Sequence, residues 1–60
     1  MIIIEKDMKL GIKRRITFGE AYRNLIATNG LTRVRLNYLL LNNIKISNDR
    51  FVYQRQIKEG

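Results

Sequence analysis

Two side chains that can read DNA bases lie near the middle of the chain. Arg33 and Asn37 occur in Arg33-Val34-Arg35-Leu36-Asn37, directly after Thr32. An arginine guanidinium can bind O6 and N7 of guanine together, and an asparagine amide can bind N6 and N7 of adenine. We therefore expect Thr32, Arg33 and Asn37 to contact the bases of a DNA duplex.

The charge of the chain favours a polyanionic partner. Twelve Lys and Arg residues stand against five Asp and Glu residues, giving a formal net charge of +7 on 60 residues. Such a field favours nucleic acid, an acidic protein surface or an anionic membrane. A phosphate contact needs only a cation near the DNA backbone. The predicted phosphate contacts are Lys13, Arg14, Arg15, Arg35, Lys45, Arg50 and Arg55.

The residues needed for catalysis are missing from the sequence. It has no histidine to act as a base and no cysteine to act as a thiol nucleophile. The carboxylates do not pair in an obvious way, and no glycine-rich phosphate loop is present, because the glycines are scattered. They are Gly11, Gly19, Gly30 and Gly60. We expect a protein that is not an enzyme and that uses no metal and no cofactor.

The segment from Thr17 to Asn43, which carries the base-reading residues, has the pattern of two helices. Thr17-Phe18-Gly19-Glu20 is a capping box, in which the threonine hydroxyl and the glutamate each satisfy a free backbone N–H. Asn29-Gly30 ends this first helix, because glycine adopts the left-handed conformation without strain. Its apolar face consists of Phe18, Ala21, Tyr22, Leu25 and Ile26.

The second helix is predicted to start at Leu31 or Thr32 and to run through Leu41, with Asn42-Asn43 as its end. Its first apolar stripe consists of Leu36, Leu39 and Leu40, with Leu31 at its start. Its second stripe consists of Val34, Tyr38 and Leu41. A helix that is apolar on two sides is usually buried on two sides, and one small core cannot easily cover both. We expect the second stripe to be a dimer or partner interface.

Strand patterns flank the helix pair on both sides. The isoleucines at 2–4 predict a first strand, Glu5-Lys6-Asp7 a turn, and the alternation from Met8 to Ile16 a second strand. Residues 2–16 would then form either a β-hairpin or a single strand with a mobile start. After the helices, Ile44-Lys45-Ile46 and Phe51–Ile57 are separated by a polar segment and predict a β-hairpin. The polar segment is Ser47-Asn48-Asp49-Arg50.

These elements predict one small α+β domain over residues 1–60, with the arrangement of a winged helix-turn-helix. Gly30 would be the turn glycine and the C-terminal hairpin the wing. The order of elements from Arg15-Ile16-Thr17 to Ile57 resembles small phage-type repressors of the Cro and winged-helix kind. The resemblance implies a homodimer that reads a twofold-related DNA site with one helix for each half-site. It also implies regulation of transcription or recombination, as in a mobile element.

Two other interpretations fit the same residues, and a third, RNA or ribosome association, lacks the aromatic-rich sheet motif of an RRM and the GXXG loop of a KH domain. In a ribbon-helix-helix dimer, the strand from Lys9 to Ile16 would pair between subunits and enter the groove with Lys9, Gly11, Lys13 and Arg15 outward. Alternatively, a small basic inhibitor or antitoxin would use its positive face against an acidic surface of a host protein.

Glu5 and Asp7 interrupt the apolar N-terminus, so we expect a cytoplasmic protein without a membrane partner.

Overall fold

The fold is a four-stranded antiparallel sheet with two helices on one of its faces. The structure, a computed structural model, describes residues 1–57, with Thr28 and Asn29 described by their backbone alone. The elements in chain order are β1 Ile2–Asp7, β2 Lys13–Thr17, α1 Phe18–Asn29, α2 Arg33–Leu41, β3 Ile46–Ser47 and β4 Phe51–Arg55. The strand order in the sheet is β2-β1-β4-β3. The predicted α+β class is therefore confirmed.

Local capping fixes the ends of both helices. The Thr17 hydroxyl accepts a hydrogen bond from the Glu20 backbone N–H at 3.2 Å, and Gly30 ends α1 in the left-handed conformation with φ of 62°. The Thr32 hydroxyl accepts from the Arg35 backbone N–H at 3.2 Å. Thr32 is thus the N-cap of α2, whose first helical residue is Arg33. The predicted helix pair is confirmed.

The N-terminal β-hairpin forms, because β1 and β2 pair antiparallel, but its turn lies later in the chain than predicted. Glu5-Lys6-Asp7, expected as a turn, belongs to β1, and the strand expected from Met8 begins only at Lys13. The reason is Asp7, whose Oδ1 accepts from the backbone N–H groups of Lys9 at 2.9 Å and Leu10 at 3.1 Å. These hydrogen bonds form a turn where the alternation predicted extended chain. The ribbon-helix-helix strand starting at Lys9 is therefore not formed as proposed.

The core lies between the helices and one face of the sheet. Leu36 and Leu40 of the first stripe are fully buried, as predicted, whereas Ile26, expected on the apolar face of α1, is 40% exposed. The buried apolar residues are Ile3, Ile16, Ala21, Leu25, Leu36, Leu40 and Tyr53. They come from three strands and both helices. Neither helix of the described residues has the length and apolar character needed to cross a membrane.

A buried carboxylate joins the strands to α1. Glu5 is 2% exposed and accepts hydrogen bonds from the Tyr53 hydroxyl at 2.8 Å, Arg14 Nε at 2.6 Å and Asn24 Nδ2 at 3.3 Å. Buried polar groups are stable only when they are hydrogen-bonded in this way. Burial is the main cause that raises the pKa of Tyr53 to about 12, and the hydrogen bond to Glu5 is the second. The network connects β1 with β2, β4 and α1.

The C-terminal hairpin forms as predicted but is shorter than residues 44–57. β3 has only two residues, and the Asn48 side chain accepts hydrogen bonds from the backbone N–H groups of Arg50 at 3.0 Å and Phe51 at 2.8 Å. β4 pairs along β1, so the hairpin supplies half of the sheet.

Removing the Tyr53 hydroxyl should destabilise the domain. Tyr53→Phe leaves the buried Glu5 carboxylate with one donor fewer, which should lower the free energy of unfolding by about 1–3 kcal/mol. Tyr38→Phe removes a hydroxyl from an exposed tyrosine and should change the free energy of unfolding by less than about 0.5 kcal/mol. Urea unfolding followed by circular dichroism measures both variants. Equal effects would show that the Glu5 network does not stabilise the fold.

Candidate nucleic-acid interface

Strand alternation divides the side chains of β1 between the two faces of the sheet. Ile3, Glu5 and Asp7 point toward the helices and are buried, whereas Ile4 and Lys6 point to the opposite side. Successive side chains of a strand always alternate in this way. The helices pack on one face only, so the second face is uncovered by the described residues.

The register of the sheet determines which residues share this uncovered face. Lys6 lies opposite Lys13 of β2 and Val52 of β4, while Ile4 lies opposite Arg15 and Gln54. Lys45, just before β3, lines the same shallow depression of about 250 Å³ as several of these residues. We call this surface the open face; it consists of Ile4, Lys6, Lys13, Arg15, Lys45, Val52 and Gln54.

The open face carries cations without carboxylates. Glu5 and Asp7 point to the helix side, Glu20 lies in the first turn of α1, and Asp49 lies in the β3–β4 turn. No strand residue that points outward within residues 1–57 is acidic. Lys6 and Lys13 are direct cross-strand partners, an arrangement of like charges that destabilises a sheet. The face therefore has a concentrated positive potential that no outward strand carboxylate within residues 1–57 neutralises.

These cations lie along both edges of the sheet. Lys13 and Arg15 lie on the edge strand β2, and Lys45 lies at the other edge beside β3. Three strand spacings separate the two edge strands, which is roughly 14 Å. The major groove of DNA is about 12 Å wide. Cations at both edges can therefore meet phosphates on the two sides of a groove.

Between the cations, the centre of the open face carries amide and aliphatic side chains. Gln54 lies in the middle of the sheet on β4, opposite Ile4. A glutamine amide can bind N6 and N7 of adenine, and aliphatic groups can contact the methyl group of thymine. The centre of the open face therefore carries side-chain types that contact base edges in protein–DNA complexes.

The open face has no aromatic side chain on which a single-stranded base could stack. Phe51 and Tyr53 of β4 lie opposite Asp7 and Glu5 and therefore point to the helix side. The other aromatic residues, Phe18, Tyr22 and Tyr38, lie on the helices. Proteins that bind single strands use aromatic stacking platforms. The outward positions of the described strands therefore lack a stacking platform for single-stranded bases.

The predicted base contacts lie in the helix layer, away from the open face. The Thr32 hydroxyl is engaged in capping α2, and the Arg33 guanidinium stacks 4.9 Å from the centroid of the Tyr22 ring. Asn37 is exposed on α2. Since both helices cover the opposite side of the sheet, these residues and the open face cannot contact one stretch of DNA together.

The predicted phosphate contacts separate into three groups. Lys13, Arg15 and Lys45 belong to the open face, and Arg35 is exposed on α2. Arg14, Arg50 and Arg55 instead have partners within the chain. Arg14 binds Glu5, Arg50 binds Asp7 at 2.8 Å, and Arg55 donates to the Asn43 side chain at 3.1 Å.

The two ion pairs shift the pKa values of Arg14, Arg50 and Asp7. The hydrogen bond to Glu5 raises the pKa of Arg14, and the hydrogen bond to Asp7 raises the pKa of Arg50. The hydrogen bond from Arg50, with smaller help from the backbone N–H groups of Leu10 and Lys9, holds the pKa of Asp7 below its ordinary value of 3.8. Arg14 and Arg50 are thus committed to carboxylates of their own chain.

Sequence reasoning missed Lys6 and Gln54 as functional candidates. The sequence pattern predicts a turn at Lys6, and the direction of a side chain in a turn cannot be predicted. Gln54 was recognised as part of a strand, but its role depends on pairing with β1, and the sequence does not show which strands are neighbours. Extending the first strand through the charged residues 5–7 would have placed Lys6 on the same face as Ile4.

The second stripe is uncovered in the structure. Val34 is 81% exposed, Tyr38 62% and Leu41 48%. The described residues of the chain do not bury this face of α2, so its role as a dimer or partner interface stays a prediction.

The Asp7–Arg50 pair should make stability depend on pH. Because the folded-state pKa of Asp7 is lowered, its contribution is present above pH 3.8 and is lost as the pH falls through the folded pKa. Asp7→Asn should therefore lower the melting temperature near neutral pH, and this difference should disappear in strong acid. Asp49→Asn, which removes an exposed carboxylate from the β3–β4 turn, is the matched control. A difference for Asp7→Asn that persists in strong acid would contradict this account.

Three comparisons of the chain with known proteins give no match. No protein-family model matches the chain, and neither a curated protein nor a solved structure matches it.

Proposed function

We propose that this chain binds double-stranded DNA and that the open face of its sheet is the docking surface. The observation that carries the proposal is the set of four cations on an uncovered face that has no carboxylate: Lys6, Lys13, Arg15 and Lys45. Most of the affinity of such a surface would come from phosphate neutralisation and release of counterions.

The layout of the open face favours a duplex over other polyanions. Cations at the two edges suit two phosphate backbones that flank a groove, and Gln54 at the centre suits a base edge. A single strand would need aromatic platforms, which the outward positions of the described strands lack. Gln54 would give the interface preference for particular sequences, which regulation of transcription or recombination requires.

Docking through α2, as in a winged helix-turn-helix, is the second candidate. It is supported by the short connection through Gly30 and by the exposed position of Asn37. Against it, the Thr32 hydroxyl is already engaged in capping α2. The cations of the open face would also remain unused in this mode. We therefore favour docking through the sheet, in a cytoplasmic protein with access to DNA.

Removing two cations from each surface distinguishes the two docking modes. Lys6→Gln/Lys13→Gln and Arg33→Gln/Arg35→Gln lower the net charge equally. Fluorescence anisotropy of a labelled duplex, titrated at several salt concentrations, gives the affinity and its salt dependence. The first variant should bind more weakly, with a log–log salt slope smaller by about 0.9 for each phosphate that the protein no longer neutralises. The second should bind nearly as well as the unmodified chain.

Thermal unfolding provides a control for the first variant. Because Lys6 and Lys13 repel each other across the strands, Lys6→Gln/Lys13→Gln should be at least as stable as the unmodified chain. Weaker DNA binding then cannot be ascribed to unfolding. If Arg33→Gln/Arg35→Gln weakens binding while Lys6→Gln/Lys13→Gln does not, α2 is the docking element. If the unmodified chain does not bind duplex DNA at low salt, the proposed function is wrong.

A further inference from the structure

The outer face of α2 is an apolar surface with basic flanks. Val34, Tyr38 and Leu41 are spaced i, i+4 and i+7, so they form one stripe along the helix. Leu36 and Leu40 are buried in the core, so the stripe lies on the part of α2 that faces away from it. Exposed apolar patches with polar borders are typical of interaction sites.

The cations beside the stripe form no ion pair with a carboxylate of residues 1–57. Arg33 and Arg35 both lie in the first turn of α2, which contains no acidic residue. Arg33 contacts the ring of Tyr22, and both of the chain's ion pairs among the described residues involve other arginines. Cations are also unfavourable at the N-terminus of a helix, where the helix dipole is positive. An anionic group from outside the chain would relieve this excess of positive charge.

We propose that the outer face of α2 binds an acidic amphipathic helix of a partner protein. The apolar side chains of the partner would pack on Val34, Tyr38 and Leu41, as amphipathic helices do in apolar grooves. Glu or Asp residues beside its apolar stripe would pair with Arg33 and Arg35. Both the apolar and the charged part of the surface are then matched by one partner.

A second copy of the chain fits this surface less well. In a twofold-symmetric contact each copy presents the same patch. α2 has two arginines and no carboxylate, so pairing α2 with itself would bury positive charge without forming an ion pair. DNA is also a poor match, because a groove offers apolar contact mainly through thymine methyl groups.

The proposal does not depend on DNA binding, because the two surfaces lie on different sides of the domain. The helices cover one face of the sheet, and the second stripe lies on the outside of that helix layer. The open face lies on the other side of the sheet. The chain could therefore hold a duplex and an acidic protein helix at the same time.

Synthetic peptides test the proposal without knowing the natural partner. The probe is a labelled peptide of about 20 residues, long enough to form a helix, with a leucine stripe flanked by glutamates. A scrambled peptide of the same composition keeps the charge but breaks the stripe. Anisotropy titrations with the full chain should show binding of the amphipathic peptide at least about tenfold tighter than that of the scrambled peptide, as expected when apolar anchors dominate.

Variants of the chain locate the binding site. Val34→Ser/Tyr38→Ser should weaken binding of the amphipathic peptide at least about tenfold. Leu10→Ser/Ile12→Ser removes two similarly exposed apolar residues near the β1–β2 turn and should leave binding unchanged. Lys6→Gln/Lys13→Gln should also leave it nearly unchanged, although it should weaken binding of DNA. Thermal unfolding confirms that each variant is folded.

Three results would overturn the proposal. Equal binding of the amphipathic and scrambled peptides would show attraction by charge alone. Unchanged peptide binding by Val34→Ser/Tyr38→Ser would place the contact elsewhere. Sedimentation showing a dimer that this variant abolishes would assign the stripe to a second copy of the chain.

Discussion

The hydrogen bonds to the buried carboxylate of Glu5 hold the strand register on which the rest of the structure depends. Donors from Arg14, Asn24 and Tyr53 reach Glu5 from β2, α1 and β4. Shifting β1 by one residue would move Glu5 to the outside and Lys6 into the core, because strand side chains alternate between faces. Burying an unpaired lysine in this way would be highly unfavourable. The same register that satisfies Glu5 therefore places Lys6 beside Lys13 on the open face.

This register separates the charges of the chain. On the helix side, the acidic residues Glu5 and Asp7 are each paired with an arginine. On the open face, the lysines and Arg15 have no carboxylate among the outward strand positions of residues 1–57. The net charge of +7 is thus distributed unevenly. A polyanion that approaches the open face meets cations that remain available, whereas Arg14 and Arg50 are already occupied.

The helices could be predicted from the sequence because their signals are local. Thr17 and Gly30 act within a few residues along the chain, and each has the predicted role in the structure. The first strands could not be predicted as well. Glu5-Lys6-Asp7 has the composition of a turn, but it pairs with β2 and β4 as a strand, and Tyr53 and Arg50, more than 40 residues away in the sequence, bind its carboxylates.

The same limit applies to the site. The basic residues were recognised, but the chain does not reveal which of them share a face until the register is known. Lys13, Arg15 and Lys45 lie on the open face. Arg14 lies between Lys13 and Arg15 on β2, but its side chain points to the other face and binds Glu5. The division between available and occupied cations is a property of strand pairing.

The most direct test of the account is a titration of the ¹⁵N-labelled chain with a DNA duplex, followed by amide chemical shifts. Docking through the sheet predicts that the largest shifts occur at Ile4, Lys6, Lys13, Val52 and Gln54. The second stripe on α2 should change little in the same titration. Shifts confined to Thr32, Arg33 and Asn37 would contradict the account, because DNA would then dock on α2 and the open face would have another role.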